Sequence, residues 1–195
     1  VGIFTLGLTS SGYNTIRNKY TYSGDVVSVG GAATVSGASG SGAGTSTIGI
    51  IAVGANSCGY RTTRNKYTYS GCTVAAATAA SSGSNEGSAA GNTTFGIFSL
   101  GNSQSVSGRS TIRDKYTYSG DVVSSATAAT VASNLESAAG NSTVGIFALG
   151  ATCSGRVTTR NKYTYAGDVV SAGGAATAAT AGGSAASNGI AGITI

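Results

Sequence analysis

The chain has 195 residues, enough for one domain with a real core, and a net charge of +5 with only 9% charged residues. It contains 32 glycines and three cysteines but no proline, methionine, tryptophan or histidine. Lack of histidine excludes Ser-His and Cys-His nucleophile pairs and the usual zinc sets, and a hydrophobic fraction of 41% argues against the disorder that abundant Gly and Ser can signal.

The first element is the short apolar run "VGIFTLG" at Val1. A polar loop, "LTSSGYNT", follows, then "IRNKYTYSGD", then "VVSVGGAAT", and last a run of small residues. The same order starts again at Ile48, Phe95 and Val144, at intervals of 47, 47 and 49 residues. A fifth start, "AGITI", lies at Ala191, 47 residues further on. The units are therefore 1–47, 48–94, 95–143 and 144–190, with 191–195 opening another. Periods of this size mark solenoids, propellers or arrays.

Every apolar or aromatic run is short and bounded by Gly, Ser, Asn or Asp, which reads as strand and turn. The Ala/Thr runs near Ala75 and Ala126 carry no helical stripe and read as strand or loop. The expected fold is all-β: a β-propeller or propeller-like array of four repeated antiparallel four-stranded sheets. In the "RNKYTY" strand Arg17, Lys19 and Thr21 share one face, and Asn18, Tyr20 and Tyr22 the other. The tyrosines are expected to pack on a neighbouring sheet, while the Lys and Arg stems cover the next sheet and send their heads to water. The Gly and Ala around "VGIFALG" are expected to let that strand lie close to the axis. One unit cannot bury both faces alone, so the same unit is written repeatedly and stacks on itself.

The stretch "GNSTVGIFALG", a variable loop, "TTRNKYTYAGD" and "VVSAGGAATAAT" together resemble the kelch-like repeat. The similarity is to the divergent small-residue version of phage and cyanobacterial repeat proteins, and it covers all four units. Leu-Gly or Val-Gly stands where ordinary kelch repeats have a Gly-Gly doublet, and the usual Trp is missing. The resemblance implies a propeller used for binding or for virion structure, and it does not imply catalysis.

All eleven Lys and Arg lie in the repeated strand or the loop before it. Arg17, Lys19, Arg64, Lys66, Arg113, Lys115, Arg160 and Lys162 make a candidate basic and aromatic band suited to an anionic glycan. The simpler reading is that they cap the sheets and pair with Asp25, Asp121 and Asp168; nucleic acid is not an expected partner. Those Asp follow Gly and read as turn residues. Glu86 and Glu136 occupy similar places in their units, which repeat position explains better than a glycosidase pair. Cys58, Cys72 and Cys153 read as idle thiols, a Cys58–Cys72 bridge being the alternative. No enzyme activity, cofactor or metal site is expected.

The chain shows no uninterrupted apolar run of the length a membrane helix needs, so no membrane span is expected, and its first residues do not read as a secretory leader. "VGIFT" and "AGITI" favour one strand slot, so five segments claim four places. Val1, Gly2, Ile3, Gly192 and Ile193 are the candidate assembly strands, and contact between chains is the expected outcome. The expected function is a structural, self-assembling protein, a virion component or microbial surface filament subunit, whose partners are copies of itself or other structural proteins. Its expected location is the virion or an extracellular surface. The alternative is a glycan-binding module for adhesion, with Tyr13 and Tyr60 as loop recognition residues.

Overall fold

The computed structural model describes residues 1–5 and 7–187. Among them there is no α-helix, and four main antiparallel sheets follow one another along the chain. Three have four strands. The second runs Ser41–Gly44, Ile48–Ala52, Arg64–Thr68, Thr73–Ala77 from edge to edge. The third runs Ser88–Gly91, Phe95–Ser99, Arg113–Thr117, Val122–Ala126. The fourth runs Ser137–Gly140, Val144–Ala148, Arg160–Thr164, Val169–Ala172. The first sheet has three strands, Gly2–Thr5, Arg17–Thr21 and Val26–Val29. This is an all-β, propeller-like arrangement, with the Ala/Thr runs as strands at the exposed edges of the second and third sheets.

The sheets are permuted against the sequence units. The strand at the buried edge is the small-residue run that precedes each Gly-Ile pair, not the "VGIF" strand as expected. The inner strands Ser41–Gly44, Ser88–Gly91 and Ser137–Gly140 pack on one another in succession. Only small side chains allow that approach. A Cβ at Gly40 or Gly87, just before two of these strands, would run into the carbonyl oxygen of Ala52 or Ser99.

The Gly of each Gly-Ile pair has a second reason. The hydroxyl of the second tyrosine of "YTY" lies where a Cβ would be: Tyr22 at Gly2, Tyr69 at Gly49, Tyr118 at Gly96 and Tyr165 at Gly145, each 2.8–3.0 Å from that point. The four sheets therefore share one lock between the Gly-Ile strand and the end of the strand that pairs with it. The core lies between sheets. Ile50, Phe98 and Tyr116 are buried with Ala43 and Ala89 in one cluster, and Ile97, Phe147 and Tyr163 with Ala90 and Ala138 in the next.

The variable loops between the Gly-Ile strand and its partner strand form short hairpins, such as Leu8–Thr9 with Gly12–Tyr13 and Ala55–Asn56 with Gly59–Tyr60.

Candidate functional site

The chemistry of this molecule is concentrated at the contacts between successive sheets. The strand that pairs with the Gly-Ile strand in each sheet begins with Arg followed by Asn or Asp. Arg17 Nη2 donates to Asn65 Oδ1 at 2.9 Å, Arg64 Nη2 to Asp114 Oδ2 at 2.7 Å, and Arg113 Nη2 to Asn161 Oδ1 at 3.2 Å. A hydroxyl residue after the outer strand completes each contact. The Thr34 and Thr130 N–H groups donate to Asn65 and Asn161 Oδ1, and those amides donate back to the threonine hydroxyls. At the middle contact both the N–H and the hydroxyl of Ser81 donate to Asp114.

Three joints thus share one design: the Arg and the hydroxyl residue come from one unit, and the amide or carboxylate from the next. The Arg64 and Arg113 guanidinium carbons also lie 4.6 Å and 4.5 Å from the ring centres of Phe98 and Phe147 in the next unit. Stacking on a ring inside a buried contact strengthens the attraction that water would weaken.

Arg17, Arg64 and Arg113 are each 1% exposed. This corrects the expectation that the arginine heads reach water in a surface band. Planar guanidinium, weakly hydrated and able to stack, suits a buried joint better than ammonium does. Burial pushes Arg113 down to about 10, with Glu136 opposing the shift. Lys19, Lys66 and Lys115 are half-buried and Lys162 is exposed. Lys115 Nζ lies 4.5 Å over the ring of Phe95.

The aspartates also differ from expectation. Tyr20, Tyr116 and Tyr163 hydroxyls donate to Asp25, Asp121 and Asp168. Thr78 and Thr127 N–H groups donate to Asp121 and Asp168 at 2.9 and 3.0 Å, again across units. Among the described residues, the ion pair within 4 Å is Arg64–Asp114 instead. Asp25, Asp121 and Asp168 sit at positive φ in their turns, as their position after Gly suggests. In the second unit Cys72 takes this place, and Lys19 Nζ donates to its sulfur at 3.2 Å. All three cysteines are free, so the Cys58–Cys72 bridge does not form.

Glu86 and Glu136 are not equivalents. Glu86 holds a positive φ that Leu135 matches in the next unit, and Glu136 stands where the second unit has Gly87. Glu86 Oε2 accepts from Asn102 and Asn134 amides at 2.9 and 2.8 Å. Glu136 is buried and accepts from Ser133 and Ser88 hydroxyls. Burial pushes its carboxyl above the ordinary range, and the hydroxyl donors and Arg113 oppose that shift. Sequence spacing alone placed these two glutamates together and missed the Arg–Asn joints, though every joint residue repeats with the unit period.

The ends of the array break the pattern. Asn18 and Phe4 stand where Asn65 and Phe98 stand, without a neighbouring sheet on that side among the described residues. Phe4 is 38% exposed against 1% for Phe98. Arg160 and Thr177 stand where Arg113 and Thr130 stand and make no side-chain hydrogen bond among the described residues. Among the described residues the first sheet has no inner strand, and a groove of about 140 Å³ opens between its strand Gly2–Thr5 and residues 40–42. Val1, Gly2 and Ile3, the N-terminal part of the candidate assembly strands, lie along this edge. Gly192 and Ile193 fall outside the described residues. Tyr13 and Tyr60 are exposed at 39% and 37% on their hairpins, and neither belongs to a joint.

No group of three or more His, Cys, Asp or Glu is placed to hold a metal ion among the described residues. No helix in them is long and apolar enough to cross a membrane. No protein-family model matches the chain, and no curated protein matches it. A solved structure, described as the structure of YjhT, is similar in fold with a TM-score of 0.68 at 10% identity. The match covers 90% of this chain and 62% of that one, so the chain spans less than two thirds of the length of the structure it resembles.

Proposed function

We propose that the chain is a structural, self-assembling repeat protein of kelch-like character with four blades, serving as a virion component (tail, fibre or capsid decoration) or as a microbial surface filament subunit. The observation that carries this reading is where the buried polar chemistry lies. The arginines, amides and hydroxyls bind one unit to the next through arginine Nη2, and the arginine Nε and Nη1 atoms left over are buried between the sheets, out of a ligand's reach. Structural roles repeat with the unit, whereas a recognition site specialises in one place. The test is electron microscopy of the purified chain across a concentration series. Ordered filaments or rings are expected; dispersed single particles at every concentration would overturn the reading.

A second reading is a glycan-binding adhesion module. Exposed Tyr13 and Tyr60 on equivalent hairpins favour it, since aromatic faces stack on sugar rings. Glycan-array binding lost in Tyr13→Ala and Tyr60→Ala would support it, and an array without signal would remove it.

A further inference from the structure

We propose that Lys19 and Cys72 are a modification site, joined by a peroxide into a sulfenamide S–N crosslink that fastens the first sheet to the second. Hydrogen peroxide is the co-reactant, and a small thiol reverses the bond.

Cys72 stands in the turn where the other units carry Asp25, Asp121 and Asp168. Its φ of 51° matches their 50°, 55° and 55°, so the backbone aims all four side chains alike. Tyr116 and Tyr163 hydroxyls donate to the carboxylate in that place. In the second unit the equivalent Tyr67 hydroxyl, wholly buried, finds no carboxylate and is left without a hydrogen bond, facing the sulfur instead. Lys19 arrives from the first unit, its Nζ 3.2 Å from Cys72 Sγ. Lys66 lies near Asp121 in the same way across the next contact. A thiol thus occupies a place built for an anion. The Tyr67 hydroxyl and Lys19 together hold it below the ordinary thiol range, which favours the reactive thiolate. Cys58 and Cys153 sit exposed in hairpin turns instead.

The chemistry uses both partners. The Cys72 thiolate attacks one peroxide oxygen, and the O–O bond breaks. The sulfur gives up two electrons and becomes sulfenic acid. The leaving hydroxide takes a proton from the Lys19 ammonium and departs as water, which leaves a neutral amine beside the oxidised sulfur. That amine attacks the sulfur, the S–O bond breaks, and the hydroxyl leaves as a second water with an amine proton. Condensation of a sulfenic acid with a nearby nitrogen is ordinary sulfur chemistry. Both side chains are half-buried, open enough for a molecule little larger than water. The contact so fastened is also the barest. Arg17 meets the neutral Asn65 where Arg64 meets Asp114. Ile51 pairs with Asn65 at the place where Phe98 and Phe147 offer a ring to their arginines. With neither the ion pair nor the ring, this contact gains most from a covalent bond.

The test treats the full chain, with Cys58→Ser and Cys153→Ser to leave one thiol, with hydrogen peroxide and follows its mass. The chain has no Met or Trp, so added oxygen reports on the cysteine. The intact mass is expected to fall by two hydrogens, and a digest to yield one joined peptide holding Lys19 and Cys72. Dithiothreitol is expected to restore both. The urea midpoint is expected to rise on oxidation and to return on reduction, because a crosslink restricts the unfolded chain. Lys19→Gln removes the amine, so Cys72 is expected to gain oxygen with no joined peptide. Cys72→Asp gives the second unit the residue of the others and is expected to keep its mass and midpoint under peroxide. Circular dichroism matching the parent certifies that each variant folds. Oxygen gained at Cys72 of the parent without a joined peptide, a disulfide between two copies, or a joined peptide holding another lysine would overturn the crosslink. A joined chain whose midpoint does not move would overturn its fastening role.

Discussion

The pentapeptide Arg-Asn-Lys-Tyr-Thr occurs unchanged in the first, second and fourth units, in three different settings. In the second unit Arg64, Asn65 and Tyr67 are all buried. In the first, Arg17 is buried while Asn18 and Tyr20 are only half-buried. In the fourth, Asn161 and Tyr163 are buried and Arg160 is half-buried. The sequence is constant, so the neighbours make the difference. The unit that follows covers the arginine, and the unit that precedes covers the amide and the first tyrosine. One short peptide thus carries both halves of an adhesive contact on opposite faces of a strand.

That contrast is broken most sharply by truncating the same residue in two settings. Tyr67→Ala is expected to cost roughly 3–5 kcal/mol, the range for emptying a buried aromatic site. Tyr20→Ala, at the open end, is expected to cost less than half as much. Arg64→Ala is expected to cost about 3–5 kcal/mol because it leaves Asp114 buried and unpaired, whereas Arg160→Ala is expected to stay within about 0.5 kcal/mol in the dilute monomer. Urea unfolding of all four variants checks the pairs. Equal losses at the open and covered positions would show that the faces are not distinguished by their neighbours.

The all-β class, the strands and the period were legible because Val, Ile, Tyr and the turn residues recur at fixed places. The alternation of Arg17 against Asn18 and Tyr20 was legible for the same reason. The fate of the arginine heads was not. Sequence shows a long cationic side chain on a strand, and the ordinary expectation is that its head finds water. Only the distance to the next sheet reveals that Asn65 is in reach. The place of the small-residue strand was hidden too. A repeat has no natural starting point in sequence, and starting at Gly-Ile hid that Ser41–Gly44 pairs with the strand after it. The Tyr–Asp contacts fell between five-residue neighbours around a turn, a spacing that strand alternation does not examine.

A smaller effect probes the joint between the third and fourth units, where Glu136 lies buried beside Arg113. Its carboxyl holds a proton more tightly in the folded chain than in the unfolded one. Above the ordinary value of 4.5 the unfolded chain releases that proton first, so folding stability falls as pH rises toward the raised value. Glu136→Gln keeps an acceptor oxygen for one of the Ser88 and Ser133 hydroxyls, offers its amide N–H to the other, and has no proton to lose. The variant is expected to lack this slope and to be more stable than the parent at neutral pH. Urea midpoints measured from acid to neutral pH check it; parallel profiles would show that Glu136 does not titrate differently on folding.

The smallest effect separates charge from geometry in the joints themselves. The middle joint uses a carboxylate where its neighbours use an amide, yet all three present the same Arg Nη2 and the same backbone N–H. Asp114→Asn removes no hydrogen bond if the new amide turns its oxygen to Arg64 and Ser81 N–H and its nitrogen to Ser81 Oγ. Asn65 and Asn161 do this against Thr34 and Thr130, at 2.6 and 2.8 Å. The hydroxyl then changes from donor to acceptor, which a freely rotating O–H permits. Lost Coulomb attraction is offset by the smaller cost of burying a neutral group. The expected change is within about 1 kcal/mol, in contrast to about 3–5 kcal/mol for Asp114→Ala, which strands the Arg64 charge. Thermal and urea unfolding of both variants decides the matter. A loss above about 2 kcal/mol in Asp114→Asn would mean that the charge, rather than the shared hydrogen-bond geometry, holds the second and third units together.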